Sequence, residues 1–227
     1  MPRLQCLAII PDGNRRWAKK RGLPAIEGHR RSLYNGRRIL QVALEHSWQV
    51  VVWCASRSNL ESRKKEEKDF FFWMLRDELR LRLRRTDKVR FLLRGAWREF
   101  CNDPIIPELA AAVERYTSTH HEHQLTLLLG YDGEQDIEQA AQKLHDQGIR
   151  PTRELIRANL WTAHLPNADM IIRTGVEGDP HDSDAFLPLQ RKNAQLSYTE
   201  ILCPDYTEEH LRAALDNFAA RERRMGA

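Results

Sequence analysis

Cysteine is scarce in this sequence, and its few cysteines show no paired spacing. The 227 residues include four, at positions 6, 54, 101 and 203, and the chain has no internal repeat or low-complexity segment. Such scattered cysteines match neither a zinc-binding pattern nor the disulfide framework of a small secreted protein. We therefore expect four reduced thiols in or near the core.

Long hydrophobic runs are missing too. The chain is 41 % hydrophobic and 30 % charged, which is enough for a core but typical of a soluble protein. The apolar run at residues 4–10 is too short for the apolar region of a secretory signal, and only Arg3 precedes it as a basic residue. No linker divides the sequence, so we expect a single domain over residues 1–227 that stays in the cytoplasm.

Basic residues outnumber acidic ones only slightly, giving a net charge of +4, but they cluster. Residues 76–98 contain eight arginines. We interpret this stripe as a solvated helix face, with contact to an anionic membrane surface as the second interpretation. No nucleic-acid motif accompanies it, so no nucleic-acid partner is expected. Residues 120–123 (His-His-Glu-His) could bind metal by composition, but neighbouring side chains rarely converge on one ion, so this site is not favoured.

The first informative stretch is residues 7–18. The apolar run at residues 4–10 predicts a buried strand, Pro11 and Gly13 interrupt it, and a basic helix is predicted to begin near Arg15. Unpaired N–H groups and the helix dipole favour anions at such a helix start.

Three charged residues decide what this turn could bind. Arg15 and Arg16 suit bidentate contacts with phosphate. Asp12 would repel a phosphate unless a cation lay between them, and Mg²⁺ prefers carboxylate and phosphate oxygens. The pattern therefore predicts a diphosphate held with Mg²⁺. A capped helix start with solvated arginines is the alternative.

The rest of the chain alternates between strand and helix patterns. Further strands are predicted at residues 48–55, 88–93, 124–129 and 169–173, and helices at 28–46, 64–85, 105–118, 134–147, 152–160 and 207–224. The polar segment 56–63 is predicted to be a loop, and Thr207 is predicted to cap the last helix. This alternation predicts an α/β fold with a largely parallel central sheet of about six strands flanked by helices.

Several short segments occur in an order typical of one enzyme family. They are residues 10–18, Gly28 with His29, Ser56 with Asn59, 130–133, 172–175, 204–206 and 221–224. Together they resemble the cis-prenyltransferase family, of the undecaprenyl diphosphate synthase type, over essentially the whole chain. The first segment is specific, and the later ones are weak individually. The resemblance implies a homodimer, Mg²⁺ as cofactor and prenyl diphosphates as substrates.

The same resemblance implies roles for individual residues. Asp12 and Asn14 would be catalytic, and Asp12 would also bind the metal. The implied substrate-binding residues are Gly13, Arg15, Arg16, Trp17, His29, Ser56, Asn59, Glu66 and Arg173. An allylic diphosphate would lie on the helix start that contains Asn14, and a second prenyl diphosphate would lie near Arg173.

The chain also departs from the family pattern. After Arg173 it lacks the family's second arginine and serine, and the loop at residues 178–185 is longer; acidic groups stand there instead, namely Glu177, Asp179, Asp182 and Asp184. Elsewhere, Ser62 (with Arg63 beside it) and Ala25 replace arginines, Arg15 replaces a glycine, and Gln195 replaces a metal-binding glutamate. Fewer guanidinium groups and more carboxylates make the second diphosphate site less favourable.

A run of four aromatic residues at 70–73 bears on the product. They cannot all share one helix face, so at least one must point away from the core. The resemblance places this helix along a hydrophobic tunnel for the prenyl chain, where bulky rings would shorten the product. Ordinary core packing with one ring at a subunit contact is the alternative.

Three hypotheses about function remain at this point. The leading one is a prenyltransferase that condenses an allylic prenyl diphosphate with a second C5 prenyl diphosphate to a short-chain or irregular isoprenoid. The others are a non-catalytic or accessory subunit of a cis-prenyltransferase complex, and a terpene synthase-like activity on an allylic diphosphate alone. The acceptor, isopentenyl or dimethylallyl diphosphate, is left open, as are the product's chain length and stereochemistry and the need for a partner chain.

Overall fold

A computed structural model describes residues 3–85, 87–178, 181 and 185–221. Six strands form one sheet in the order β3-β4-β2-β1-β5-β6. They are β1 (Leu4–Ile10), β2 (Ser47–Ser56), β3 (Val89–Arg94), β4 (His123–Tyr131), β5 (Met170–Arg173) and β6 (Gln195–Tyr198). Every neighbouring pair is parallel, which confirms the predicted α/β class with a sheet that is parallel throughout.

The described residues form eight α-helices alongside the sheet. They are α1 (Asn14–Lys20), α2 (Ala25–His46), α3 (Arg57–Ser62), α4 (Lys65–Arg82), α5 (Ile105–Tyr116), α6 (Gly133–Asp146), α7 (Arg153–Asn159) and α8 (Glu208–Ala220). Short 3₁₀ turns lie at Trp97–Glu99 and Cys203–Asp205. None of the described helices is long and apolar enough to cross a membrane.

The core lies on both faces of the sheet, because successive side chains of a strand point to opposite sides. In β1, Leu7 and Ile9 join a large cluster with α2, α4, α5 and α8, whereas Ala8 and Ile10 join a smaller cluster on the other face. Burial on both faces explains why the strands have nearly continuous apolar sequences.

Three local predictions differ from the structure. The segment predicted to be a loop after β2 contains α3, because the Ser56 hydroxyl caps a helix by accepting the Asn59 backbone N–H at 3.0 Å. Helix α2 begins at Ala25, directly after Pro24, and so starts earlier than predicted. Strand β6 has only four residues (Gln-Leu-Ser-Tyr), too few to establish a period, so the sequence did not locate it. At the last helix the predicted cap Thr207 is confirmed, and residues 222–224 lie outside the described part of the chain.

The four aromatics of α4 divide between core and surface as helix geometry requires. Phe71 and Phe72 are buried, whereas Trp73 is 49 % exposed and stacks on Phe70 at 5.6 Å between ring centroids. This confirms that at least one ring points away from the core.

The arginines of residues 76–98 do not form the single solvated helix face that the sequence predicts, since the segment runs from α4 into β3. Several are paired individually: Arg82 is buried against Glu78 at 2.8 Å, and Arg94 pairs with Glu114 at 2.6 Å. All four cysteines are free, as expected. At residues 120–123, Glu122 pairs with Lys88, and no cluster of three potential metal ligands occurs among the described residues.

Candidate functional site

The candidate site is built around Asp12, at the carboxyl end of β1. Its Oδ1 lies 3.1 Å from Nη2 of Arg16, in the first turns of α1, and its Oδ2 lies 3.1 Å from Nη2 of Arg173, at the end of β5. Ile10 is directly opposite Arg173 in the parallel pairing of β1 and β5. Because parallel strands end at the same edge of a sheet, residues far apart in sequence meet here.

The turn that carries Asp12 is held in place by backbone contacts. Gly13 has a φ of 103°, a left-handed conformation that glycine adopts without strain. The carbonyl of Asp12 accepts bonds from the Thr174 hydroxyl at 2.8 Å and from the Cys203 N–H at 2.9 Å. The carboxylate therefore projects from a fixed loop.

Asn14 opens α1 and is fixed between the turn and α2. Its Nδ2 donates to the Pro11 carbonyl at 3.0 Å, and its Oδ1 accepts a short bond from the Ser32 hydroxyl. A Cβ on Gly28 would lie 2.1 Å from the Asn14 carbonyl oxygen, so α1 and α2 touch backbone to backbone. This close approach requires glycine at position 28.

Arg63 is a site residue that the sequence indicated only as a neighbour of the substituted position 62. Its side chain is 10 % exposed, lies over the Phe71 ring at 4.7 Å, and donates to Asn59 Oδ1 at 2.5 Å. Its Nε and Nη1 have no hydrogen-bond partner among the described residues. Burial, with repulsion from Arg15, lowers the pKa of Arg63 to about 10. A buried guanidinium with unpaired N–H groups favours an anionic ligand.

Ser56 and Asn59 reach the site through Arg63. Asn59 Nδ2 donates to the Ser56 hydroxyl at 2.5 Å, and its carbonyl oxygen holds Arg63. Glu66 is exposed in the first turn of α4, whereas Glu67, with a side chain 15 % exposed, lies 3.9 Å from Arg63. Of the two acidic residues, Glu67 is therefore the one on the site side of α4.

Arg15 and Trp17 flank Arg16 on α1 and differ in what they contact. Arg15 is exposed, and its positive charge depresses the pKa values of both His29 and Arg63. The Trp17 indole N–H donates to Asp205 at 2.7 Å, and Arg21 lies 4.2 Å over its ring. Trp17 therefore fastens α1 to the 3₁₀ turn at Cys203–Asp205.

His29 is buried where α2 meets α4. It is 7 % exposed, meets the Phe71 ring edge-on at 4.6 Å, and its Nε2 has no partner among the described residues. Burial, reinforced by Arg63 and Arg15, lowers the pKa of His29 to about 3. The imidazole is therefore neutral near pH 7.

This lowered pKa makes stability depend on pH. Below about pH 6.5 the unfolded chain binds a proton at His29, whereas the folded chain does not. The contribution of His29 to the free energy of unfolding is therefore constant above that pH and decreases as the pH falls toward about 3. Relative to His29→Gln, the wild-type unfolding free energy should fall by up to about 1.4 kcal/mol per pH unit in this window. Urea unfolding at a series of pH values measures the difference; parallel curves for the two proteins would contradict it.

The region that the family resemblance assigns to a second diphosphate lies around Arg173, with Glu177 nearby. Arg173 donates through Nη1 to the His181 carbonyl in a short bond, and its Nη2 lies 3.3 Å from His181 Nε2. Glu177, at a φ of 43°, pairs with Lys20 at 2.5 Å and Arg16 at 2.7 Å, and these bonds lower its pKa. The acidic residues Asp179, Asp182 and Asp184 lie outside the described residues.

Of the other substituted positions, Gln195 lies away from Asp12. Gln195 opens β6 opposite Met170, so it is at the amino end of β5, whereas Arg173 is at the carboxyl end. Its Oε1 accepts from Arg221 at 3.3 Å. Ala25 is the first residue of α2.

An apolar cavity of about 200 Å³ leads away from the Asp12 turn. It lies between α2, α4 and the sheet; Asn14, His29 and Thr174 line it together with Phe71 and Leu127. Arg37 and Glu78, whose nearest charged atoms are 3.8 Å apart, are the charged residues in its lining. The site thus combines a cationic anion-binding cluster with space for a hydrocarbon chain.

The donor set suits a magnesium ion that a substrate shares. No three potential ligands cluster among the described residues, so an all-protein metal cage is not available there. Asp12, with a side chain 38 % exposed, offers a single carboxylate. Mg²⁺ commonly binds one or two carboxylates together with substrate phosphates and water, so the residues present fit it.

Comparisons with known proteins point to one family. The family model Prenyltransf, which describes undecaprenyl diphosphate synthases, matches residues 10–226. A ditrans,polycis-undecaprenyl-diphosphate synthase of Pseudomonas syringae pv. tomato, specific for (2E,6E)-farnesyl diphosphate, is 36 % identical over 97 % of this chain and 89 % of its own length. An isoprenyl transferase of Rhodopirellula baltica is also 36 % identical, over 97 % of this chain and 92 % of its own.

Two solved structures share the fold. Lavandulyl diphosphate synthase from Lavandula x intermedia, in complex with dimethylallyl diphosphate, superposes with a TM-score of 0.88 and 27 % identity, covering 99 % of this chain and 98 % of its own. A probable undecaprenyl diphosphate synthase from Campylobacter jejuni superposes with a TM-score of 0.78 at 23 % identity, with full coverage of both chains.

Proposed function

Because the chain belongs to the undecaprenyl diphosphate synthase family of prenyltransferases, we propose that it condenses an allylic prenyl diphosphate with a second C5 prenyl diphosphate. One observation carries this proposal. Arg16 and Arg173 lie 3.1 Å from Asp12, and the neighbouring residues Pro11, Asn14 and Thr174 line an apolar cavity, so a diphosphate and its hydrocarbon tail have matching environments side by side.

Each part of the site has a role in the proposed reaction. The helix start at Asn14, with Arg16 and Arg63, binds the allylic diphosphate and stabilises the charge that grows on it as its C–O bond breaks. Asp12 would hold Mg²⁺, which when bound neutralises phosphate charge. Arg173 positions the second diphosphate.

Bond formation then needs only the two substrates. The double bond of the second substrate supplies the electron pair for the new C–C bond to the allylic carbon, and a proton lost from the adjacent carbon restores a double bond. Asn14, on the cavity wall beside the turn, or an oxygen of the leaving diphosphate stands near that proton. The apolar cavity excludes water from the cation.

The depth of the cavity favours a short product. Its lining extends along β4 from Leu129 to Leu125, four residues or about 13 Å at the usual strand rise. An extended isoprene unit spans about 5 Å at ordinary bond lengths, so this depth accepts roughly two to three units. Phe71 narrows the cavity, and Arg37 with Glu78 adds charge that a hydrocarbon avoids.

Arg37→Met is expected to lengthen the main product by at least one isoprene unit. Arg37 and Leu40 are shared between the apolar cavity and a second cavity of about 360 Å³ behind it, so removing the charge opens space beyond. Mass spectrometry of the products measures this change in chain length. Arg38→Met is the matched control, because Arg38 lines neither cavity. Equal product lengths in Arg37→Met and wild type would show that Arg37 is no barrier.

Irregular coupling is the second candidate function, and a specific observation favours it. The lavandulyl diphosphate synthase with a TM-score of 0.88 was solved with dimethylallyl diphosphate. In this chain, moreover, Glu177 engages both Arg16 and Lys20 beside the second diphosphate region. A second dimethylallyl diphosphate is therefore the alternative acceptor.

The deciding experiment supplies purified protein and Mg²⁺ with dimethylallyl, geranyl or farnesyl diphosphate, each with and without isopentenyl diphosphate. Mass spectrometry identifies the products. Product that requires isopentenyl diphosphate supports the regular condensation. Product from allylic diphosphate alone supports irregular coupling or terpene synthesis. No product under any pairing would contradict the enzyme proposal and favour an accessory subunit.

We further propose that the chain forms a homodimer in the cytoplasm, as the family resemblance implies. Light scattering coupled to size-exclusion chromatography tests the stoichiometry, and a monomer at micromolar concentration would contradict it.

A further inference from the structure

The outer surfaces of α2 and α4 cover the apolar cavity. Their inner sides line it, through residues such as Leu33 and Gly36 on α2 and Phe71 and Met74 on α4. Their outer sides carry aromatic and basic residues. We call this outer side the roof surface; it consists of Arg30, Arg31, Tyr34, Arg38, Phe70, Trp73 and Arg80, and it is bordered by Arg37, whose side chain also lines the cavity.

Large aromatic rings are exposed on the roof surface. Tyr34 is 60 % and Trp73 is 49 % exposed. Phe70 stacks on Trp73 at 5.6 Å, and the guanidinium of Arg30 lies 5.6 Å from the Phe70 ring. Arg31 and Arg38 approach the Tyr34 ring at 6.0 Å from either side. Phe70 and Tyr34 therefore lie beside guanidinium groups, and Trp73 stacks on Phe70.

The roof surface carries more positive than negative charge, even though the exposed side of α4 also presents Glu66, Asp69 and Asp77. Arg30 is neutralised by Glu27 at 2.6 Å, and Arg37 by Asp77 at 3.3 Å. Arg38 has only a distant partner, Glu208 at 3.8 Å.

Two further arginines of the roof surface strengthen this imbalance. Arg31 and Arg80 form no ion pair with any described residue. Residues 30–38 contain no acidic side chain, so the outer side of α2 presents an uninterrupted basic strip.

We propose that the roof surface docks on an anionic lipid bilayer. Tryptophan and tyrosine are favoured at the level of lipid headgroups, because their rings are apolar and their N–H or O–H remains hydrated. Arginines beside them are attracted to anionic headgroups. Docking in this orientation places the membrane over the helices that enclose the cavity.

A protein partner fits the roof surface less well than a bilayer does. The stacked pair Phe70 and Trp73 and the separate Tyr34 are surrounded by arginines and do not form the continuous apolar patch that a protein interface core needs. A two-fold contact between two copies would place the arginine strip of each chain against that of the other, and like charges repel. A fluid bilayer needs no continuous apolar patch on the protein, and its anionic headgroups attract the arginine strip.

Vesicle co-sedimentation tests the proposal without any turnover, so its result is independent of the proposed reaction. The full chain is mixed with phosphatidylglycerol–phosphatidylcholine vesicles and with pure phosphatidylcholine vesicles. The variants are Arg31→Gln/Arg38→Gln and Tyr34→Ser/Trp73→Ser. Arg150→Gln/Arg153→Gln, two exposed arginines elsewhere, matches the first variant in charge, and Trp48→Ser, a 42 % exposed tryptophan of β2, controls for the second.

We expect wild-type protein to bind the anionic vesicles, with binding that weakens as salt is added. Each arginine near an anionic surface raises the partition coefficient about fivefold. Arg31→Gln/Arg38→Gln should therefore lower it about 30-fold, while Arg150→Gln/Arg153→Gln changes it little. Tyr34→Ser/Trp73→Ser should weaken it more than Trp48→Ser. Circular dichroism verifies that every variant is folded.

Three results would overturn the proposal. The first is that wild-type protein does not bind anionic vesicles at low salt. The second is an equal loss of binding in the control and roof-surface variants, which would indicate a general charge effect. The third is a roof-surface variant that changes the oligomeric state, which would make the surface a subunit contact.

Discussion

Asp12→Ala is expected to lower turnover by roughly a thousandfold. Asp12 is the carboxylate that Arg16 and Arg173 approach from opposite sides, each at 3.1 Å, so it organises both diphosphate regions. Without it the arginines lose their common partner and a metal loses its protein ligand. The free energy of unfolding should fall by only about 1 to 2 kcal/mol, since Asp12 and Arg16 are partly exposed.

A matched variant separates this effect from the loss of any ion pair. Glu45→Ala removes a half-exposed carboxylate that pairs with Arg212 at 3.3 Å, far from the turn, and should leave turnover unchanged. Steady-state rates across a Mg²⁺ titration compare the two. Turnover of Asp12→Ala within threefold of wild type would remove Asp12 from the proposed mechanism.

Gly28→Ala is expected to cost both stability and activity. Its Cβ would lie 2.1 Å from the Asn14 carbonyl oxygen, which is backbone and cannot rotate away. Helices α1 and α2 must separate, at a cost of about 3 kcal/mol in unfolding free energy. The same movement displaces Asn14 and Arg16, and a shift of about 1 Å can lower the rate roughly a hundredfold.

Gly36→Ala is the control in the same helix. No atom lies within 4 Å of its added Cβ, so it should raise the unfolding free energy by about 0.5 to 1 kcal/mol, as alanine does in a helix interior. Thermal unfolding compares the stabilities of both variants, and steady-state kinetics compares Gly28→Ala with wild type, because Gly36 itself lines the apolar cavity. A Gly28→Ala protein as stable as Gly36→Ala would show that the α1–α2 contact is looser than described.

Local sequence signals were sufficient for most of the fold. The apolar run before Pro11 located β1, and the alternation of strand and helix patterns gave the parallel class. The sequence does not predict helix α3, because the polar residues after Ser56 are typical of a loop and a single serine cap is a weak signal for a helix. Strand β6 was missed because four residues are too few to show a period.

The residues of the candidate site likewise fall into those that the sequence predicts and those that only the fold reveals. Asp12, Arg16 and Arg173 were predicted, and parallel pairing of β1 with β5 brings them together. Arg63 emerged only from the fold, since its burial over Phe71 depends on how α4 packs against α2. Glu66 and Gln195 match family positions in sequence but lie outside the Asp12 cluster, because helix phase and strand register decide which side chain faces it.

The pairing of β1 with β5 also sets the order of events during synthesis. Asp12 and Arg173 are 161 residues apart, so at about 5–20 residues per second the ribosome needs roughly 8 to 30 s between them. Throughout that interval β1 can pair with β2 but has an open edge on its other side. A nascent chain that ends before β5 therefore lacks both the strand that covers this edge of β1 and the Arg173 side chain, which belong to the last quarter of the sequence.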